Sequence, residues 1–126
     1  MKNNNRPISP HLQIYKPQIT SVLSIIHRFT GIFLGIGMIL LTWWLFSITI
    51  GPEMYQRTLD IISSWIGLSI LFSFIASFFY HLFNGVRHLI WDAGIGFEIK
   101  TVTMTGWLII FLSIIISLLT FIFGTQ

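Results

Sequence analysis

The chain has 126 residues, of which 54% are hydrophobic and only 9% are charged. Soluble domains usually carry about a quarter charged residues, so this composition excludes an ordinary soluble enzyme and indicates a membrane protein. The net charge of +3 comes without a basic, aromatic-rich patch, which argues against nucleic-acid binding, and the lack of cysteine excludes iron–sulfur ligands and disulfides from this chain.

The N-terminal segment, residues 1–20, contains three prolines between positions 7 and 17, which exclude a continuous helix. A disordered tail is one interpretation, as at many chain termini. The apolar side chains between positions 12 and 15 favour instead a strap that lies on the cytoplasmic or matrix face beneath a partner subunit. The first helix is predicted to begin near Thr20 or Ser21, whose hydroxyl groups suit an N-cap.

Three apolar segments follow, each close to the roughly 20 residues that cross the hydrocarbon layer. They predict transmembrane helices at about residues 21–50, 61–90 and 104–123, with Gly51-Pro52 starting the outer turn. The connections are short, so we expect a single membrane-anchor domain over residues 1–126. The predicted fold class is all-α with three transmembrane helices. Because three helices enclose little interior, the chain is expected to form half of a two-subunit helical bundle.

Basic residues are distributed unequally between the two sides of the membrane. Arg57 alone lies in the outer loop, and no Lys or Arg follows the third helix. The other six lie in the N-terminal segment and the second loop: Lys2, Arg6, Lys16, Arg28, Arg87 and Lys100. Because positive charges stay inside, the N-terminus and the second loop are expected in the cytoplasm, or in the matrix of a mitochondrion.

Two features of the sequence predict the membrane in which the protein lies. No Arg-rich, Ser-rich leader precedes Arg6, whereas an imported mitochondrial protein would carry one. Ile and Phe are frequent, which we interpret as the bias of an AT-rich coding sequence. These features favour a bacterial inner membrane, with an organelle-encoded protein of the mitochondrial inner membrane as the alternative.

His81 is the strongest functional candidate, because it lies in an apolar segment of membrane length, where an imidazole is costly and requires a partner. Three further residues continue its stripe on one helix face at i+4, i+7 and i+11: Gly85, His88 and Asp92. The glycine leaves room beside the imidazole for a flat, bulky ligand. Haem is the obvious candidate.

Ser24 and Arg28 form a second polar group one helical turn apart, with His27 on its flank. Gly31 and Gly35 continue the same face. Basic residues at the end of a span commonly reach the lipid headgroups, and two glycines four residues apart commonly form a packing face. The alternative is a polar pocket in which a hydroxyl, a guanidinium and an imidazole point at one ligand.

The expected depth of these polar residues in the membrane favours the polar pocket over independent anchors. The first helix enters from the cytoplasm near Ser24 and the second returns there near His88, which also brings the Asp92 carboxylate within plausible reach of Arg28. The outer half of the bundle has no comparable ionisable cluster. A single site explains this clustering better than independent anchors would. The predicted members of the site are Ser24, His27, Arg28, His81, His88 and Asp92.

Two stretches of the chain resemble the signatures of the cytochrome b membrane-anchor subunit of succinate dehydrogenase. The first comprises Arg6-Pro7-Ile8, Leu12, Ile19, Ser24, His27-Arg28 and Thr30. The second comprises His81, Gly85-Val86-Arg87-His88-Leu89, Trp91-Asp92 and Gly94. Neither stretch departs from the family pattern, and the two stand in the correct order and spacing.

The resemblance implies a respiratory complex made of a flavoprotein, an iron–sulfur subunit and two small membrane anchors, of which this chain resembles the larger. Succinate would be oxidised on the flavoprotein, and electrons would pass along iron–sulfur clusters to ubiquinone at the membrane surface. The chain itself would carry out no dicarboxylate chemistry. Ser24 and Arg28 would line the quinone site, with Asp92 close to Arg28.

By the same resemblance His81 is an axial ligand of a haem b iron, while His27 and His88 lie near the haem propionates, where Arg28 also offers positive charge. His81 and His88 are seven residues apart, or about 10.5 Å along one side of a helix. Axial nitrogens must face each other across the porphyrin, so these two cannot both ligate one iron. The second ligand is expected from the partner anchor, with His27 as the alternative within this chain.

Three other functions were weighed against this one. The chain could be a haem-free scaffold anchor of the same architecture, or an anchor of a quinol:fumarate reductase. A small proton or metal transporter could use His81, His88 and Asp92 as a relay. The transporter predicts ionisable groups that continue through the outer halves of the spans, and the sequence places none there.

Overall fold

A computed structural model describes residues 17–126, and within that range the chain is helical and has no strand. The helices are α1 (Ile19–Ile50), α2 (Pro52–Ile62), α3 (Trp65–Asp92) and α4 (Ile99–Gly124). Of these, α1, α3 and α4 are long and apolar enough to cross a membrane. The predicted all-α fold with three spans is therefore confirmed. The predicted strap lies almost wholly outside the described residues.

Helices α1 and α4 begin earlier than the sequence predicts. Helix α1 begins at Ile19, after an extended Gln18 that makes no side-chain capping bond, so neither predicted hydroxyl is the N-cap. Helix α4 begins at Ile99 and not at 104, because residues 99–103, which include two threonines, are also helical. Threonine hydroxyls in this turn donate to helix carbonyls, as that of Thr103 does to Ile99 at 2.9 Å, which makes such a turn compatible with a helix near the membrane surface.

Helix α2 replaces what was predicted to be a simple outer turn. Gly51 ends α1 with a φ of 137°, a conformation that side chains rarely adopt. Pro52 then suits the first helical position, and Glu53 in the first turn suits the helix dipole. One face of α2 packs on α1 and α3, and the exposed face carries an ion pair between Arg57 and Glu53 at 2.8 Å. The second span consequently begins at Trp65 and not at 61.

The described part of the chain buries polar side chains and exposes apolar ones. Leu23 and Ile109 are its only buried hydrophobic side chains. The buried polar residues are Ser47, Thr58, Asn84, Arg87, Ser113 and Ser117. Lipid is as apolar as a leucine core, so large side chains can face outward, whereas polar groups must find partners inside the protein.

Small residues of α4 form a helix contact. Gly106, Ser113 and Ser117 are all buried. A Cβ added to Gly106 would lie 2.9 Å from Leu23 Cδ1, so the glycine allows α1 to approach α4. Both serine hydroxyls donate to carbonyls of α4 itself, which removes the cost of burying them.

Arg87 does not lie in the second loop, where the sequence analysis counted it among the internal positive charges. It lies within α3 and is only 4% exposed. Its guanidinium donates to the Val102 carbonyl at 2.7 Å and to Thr105 Oγ1 at 3.2 Å. Arg87 therefore ties α3 to α4, and the remaining charges still favour an internal N-terminus.

The three spans predict opposite sides for the C-terminus and the α3–α4 loop. A reporter fused after Gln126 should lie outside the cytoplasm, and a reporter inserted between residues 93 and 98 should lie inside, because the basic flanks remain inside. Paired alkaline phosphatase and green fluorescent protein fusions measure this directly. A cytoplasmic C-terminus would contradict the three-span topology.

Gly37 predicts how tightly α1 and α3 must pack. A Cβ there would lie 2.6 Å from Phe74 Cε1, and the Phe74 ring is itself stacked on Phe33 with centroids 4.4 Å apart. Gly37→Ala should destabilise the protein by about 1–3 kcal/mol through overpacking. Gly35→Ala is the matched control, because no atom lies within 4 Å of its added Cβ. Thermal unfolding of the purified membrane complex gives the comparison, and equal midpoints for the two variants would contradict the prediction.

Candidate functional site

Three histidines come together where α1 begins and α3 ends. The His27 ring stacks on the His81 ring with centroids 3.8 Å apart and planes 9° from parallel. The His88 ring lies 5.3 Å from that of His27, tilted by 50°. His27 of α1 thus sits between two histidines that are separated by two turns of α3.

The glycines of both helices make this contact possible. A Cβ on Gly85 would lie 3.6 Å from His27 Cε1, so the clearance predicted beside His81 holds the imidazole of His27 in this structure. A Cβ on Gly31 would lie 3.1 Å from His81 Cε1, which is closer than such contacts normally are. Gly31 therefore eases the close approach of His81, because a methyl group there would make the ring shift by a few tenths of an ångström.

The His81 imidazole is bonded to α1 through one nitrogen. Its Nδ1 lies 3.1 Å from the carbonyl oxygen of His27 and 3.2 Å from Thr30 Oγ1. The Thr30 hydroxyl also donates to the His27 carbonyl at 2.9 Å. The predicted partner of the membrane-embedded imidazole is thus a carbonyl and a hydroxyl on one turn of α1.

A concave site of about 500 Å³ opens beside the histidines. Its walls include four of the predicted residues, and it is lined by Ser24, His27, Arg28, Gly85, His88 and Leu89. Ser24 and Arg28 stand on α1, and Gly85 and His88 face them from α3. A hydroxyl, a guanidinium and two imidazoles therefore surround one space, as the sequence predicts.

Asp92 does not pair with Arg28. It is exposed at the last position of α3, and the ion pair among residues 17–126 joins Arg57 to Glu53 at the other end of the molecule. No ion pair joins these two residues among residues 17–126, and the expectation that Asp92 lies close to Arg28 stays a prediction. Arg28 is itself exposed, so its charge is available to a ligand in the concave site.

A second polar stripe on α3, which the sequence analysis missed, holds the site in place. Tyr80, Asn84, Arg87 and Trp91 repeat the spacing of the histidine stripe, displaced by one residue. The Tyr80 hydroxyl donates to the Leu23 carbonyl at 2.7 Å, and Asn84 Nδ2 donates to the same oxygen at 3.4 Å. The i, i+4, i+7 and i+11 spacing was the signal that could have revealed it.

This stripe continues into α4. Arg87 Nη1 donates to Asn84 Oδ1 at 3.5 Å, and its guanidinium lies 4.1 Å from the centre of the Trp91 ring. Together with the Val102 and Thr105 bonds, these contacts use the guanidinium for structure. Of the two arginines that the structure describes at this end, Arg28 remains for binding.

The donor set fits a haem that is held in part by this chain. His27 Nδ1 is buried and has no hydrogen-bond partner within the described residues, as expected of a nitrogen that awaits a ligand group. His81 uses Nδ1 for its bonds to α1, which leaves Nε2 as the nitrogen available to a ligand. No group of three or more His, Cys, Asp or Glu in residues 17–126 is arranged to hold a bare metal ion.

Residues 2–120 match a family described as the succinate dehydrogenase/fumarate reductase transmembrane subunit. The chain is 46% identical over 119 residues to the succinate dehydrogenase cytochrome b556 subunit of Rickettsia prowazekii, with 94% of this chain and 93% of the relative covered. It is 37% identical over 122 residues to the cytochrome b556 subunit of Paracoccus denitrificans, covering 97% and 94%. It is 42% identical over 130 residues to the cytochrome b560 subunit of Reclinomonas americana, covering 95% and 87%.

Proposed function

The chain belongs to the succinate dehydrogenase/fumarate reductase transmembrane subunit family, and we propose that it is the haem b-binding membrane anchor of a succinate:quinone oxidoreductase. In this role it helps to pass electrons that arrive from succinate, through the iron–sulfur clusters of another subunit, to ubiquinone. The observation that carries the proposal is the cluster of three imidazoles beside an available hydroxyl and guanidinium at one end of an apolar bundle. The cytochrome b names of the relatives agree with it.

His81 is the proposed axial ligand of the haem iron, through Nε2. His27, Arg28 and His88 would contact the propionates, because cations and ring N–H groups bind carboxylates well. A haem b with two histidine ligands supplies one-electron storage and transfer, since both axial positions are closed to other ligands. The task of this chain is to orient one imidazole and to neutralise the propionate charge.

The second axial histidine is assigned to the partner anchor. Two imidazoles that ligate one iron must face each other with the porphyrin between them. His27 instead lies flat against His81 with ring centroids 3.8 Å apart, which leaves no space for a macrocycle between them. The stacked geometry thus argues against the in-chain alternative, and a histidine from a second chain would complete the iron site.

Ser24 and Arg28 are the proposed quinone ligands within this chain. As a quinone is reduced, negative charge develops on its oxygens, and a hydroxyl donor and a permanent cation stabilise that charge in a partly dry site. Both residues line the same concave surface at the end where α1 begins. Asp92, exposed at the end of α3, would supply a carboxylate at the rim of this site for proton exchange with water.

The proposed partners are the second anchor subunit, the iron–sulfur subunit and the flavoprotein, in a bilayer with the N-terminus inside. The large apolar side chains of α1, α3 and α4 are mostly exposed, which suits contact with lipid and with a second anchor. A bacterial inner membrane is the proposed location. An anchor of a quinol:fumarate reductase is the second candidate, because the matching family contains both enzymes.

Arg28→Gln and Ser24→Ala should each reduce succinate-driven ubiquinone reduction about 10- to 100-fold, because each removes a group that stabilises developing charge. Succinate oxidation with a soluble artificial acceptor should be retained, since that chemistry belongs to other subunits. Arg57→Gln, at the opposite end of the bundle, is the matched control and should leave both activities intact. Equal loss of both activities in the Arg28 variant would assign it to assembly and contradict a role at the quinone.

His81→Ala should leave the iron five-coordinate or the haem site empty, because it removes one axial nitrogen. His88→Ala is the matched control on the same face of α3, and should disturb the haem spectrum while the axial bond is retained. Low-temperature absorption and electron paramagnetic resonance spectra of the assembled complex measure both. An unchanged six-coordinate, low-spin signal after loss of His81 would refute the ligand assignment, and no haem in the wild-type complex would support the scaffold alternative.

A further inference from the structure

The protons around His81 can be assigned from the hydrogen bonds alone. The His27 carbonyl can only accept, so the His81 Nδ1 at 3.1 Å from it must carry a hydrogen. The Thr30 hydroxyl donates its single hydrogen to the same carbonyl at 2.9 Å. Its oxygen therefore faces the His81 Nδ1 at 3.2 Å as an acceptor. The Nδ1–H is thus shared between two acceptors, and Nε2 is left with its lone pair.

We propose that Thr30 is a positioning residue that, together with the His27 carbonyl, holds His81 in the Nδ1–H tautomer and directs Nε2 to the haem iron. This inference rests on the proposed function, since it assumes that His81 ligates the iron. The side-chain bond of Thr30 to the carbonyl three residues earlier is one that threonine commonly makes in helices. Here that bond turns the hydroxyl lone pairs towards α3.

Orientation of the imidazole comes from two neighbours of Thr30 on the same turn. The His27 ring covers one face of the His81 ring, nearly parallel to it. Gly31 lies against the Cε1 edge, where a Cβ would come within 3.1 Å. We call His27, Thr30 and Gly31 the His81 socket. The socket contacts one face, one edge and one nitrogen of the ring, and it leaves the other nitrogen for coordination.

The socket also sets the electron donation of the ligand. A hydrogen bond from Nδ1–H to an acceptor makes the imidazole more basic, which favours the ferric iron and lowers the reduction potential. Thr30→Val keeps the shape but removes one of the two acceptors. The remaining carbonyl bond then holds the ring alone, so the haem potential should shift upward and the low-spin resonance should broaden.

The test compares the potential and the low-spin resonance of the haem in assembled complexes with four substitutions in α1. Thr30→Val should shift both signals, and Thr30→Ser should restore them, because serine retains the hydroxyl. Thr49→Val is the matched control, since Thr49 makes the same bond to a carbonyl three residues earlier, that of Phe46 at 2.8 Å, far from any histidine. Gly31→Ala should also shift the resonance, because its methyl group presses on the ring edge.

The outcomes separate this inference from the function on which it rests. Signals unchanged in Thr30→Val, or shifted as much in Thr30→Ser, overturn the role of Thr30 while His81 ligation stands. A six-coordinate signal that survives His81→Ala overturns the ligation itself. Loss of haem in Thr30→Val with flavin-linked succinate oxidation intact, restored by Thr30→Ser, supports the inference, because a general folding defect would lower both.

Discussion

Two carbonyls of α1, those of Leu23 and His27, provide the polar contacts through which α3 attaches to it. They lie one helical turn apart, and each accepts a side chain of α3 in addition to its place in the helix: Tyr80 and Asn84 bond to the first, His81 to the second. In an apolar surrounding, a polar side chain without a partner costs several kcal/mol, so these bonds select the register of the two helices. The same register places His27 between His81 and His88 and opens the concave site beside Ser24 and Arg28.

Two adjacent polar stripes of α3 have different roles: one holds the helices together, and the other faces the candidate binding site. Tyr80, Asn84 and Arg87 satisfy one another and the backbones of α1 and α4, so their polarity is used internally. One residue further on, the His81 stripe faces residues of α1 whose polar groups are not all used, because His27 Nδ1 has no partner among the described residues and Arg28 is exposed. This contrast separates polar groups that build the fold from those that can bind.

The sequence predicted the three spans and the clustering of polar residues at one end of the bundle because both depend on simple periodicities. Membrane-length apolar segments gave the three long helices, and the spacing of the second-helix histidines placed them on one face. The sequence did not predict α2, because Gly51-Pro52 is typical both of a turn and of a helix start. The amphipathic helix that follows is also too short to give a clear periodicity. The sequence analysis placed Arg87 in a loop, because a charge near the end of a span usually reaches the headgroups. The Thr30 contact depends on the rotation of α1 against α3, which one sequence does not specify.

The inside-out packing supports the proposal that a second chain completes this site. With only Leu23 and Ile109 buried among the apolar side chains of the described residues, no apolar core encloses the histidines. A haem is large and mostly apolar, so it must be covered on the side that α1 and α3 leave open. A second anchor that contributes an axial histidine would bring that covering surface with it, and the bond to iron would hold the two chains in register. In that arrangement the ligand is part of the interface, and the half-satisfied stripe on α3 is the half of the site that this chain supplies.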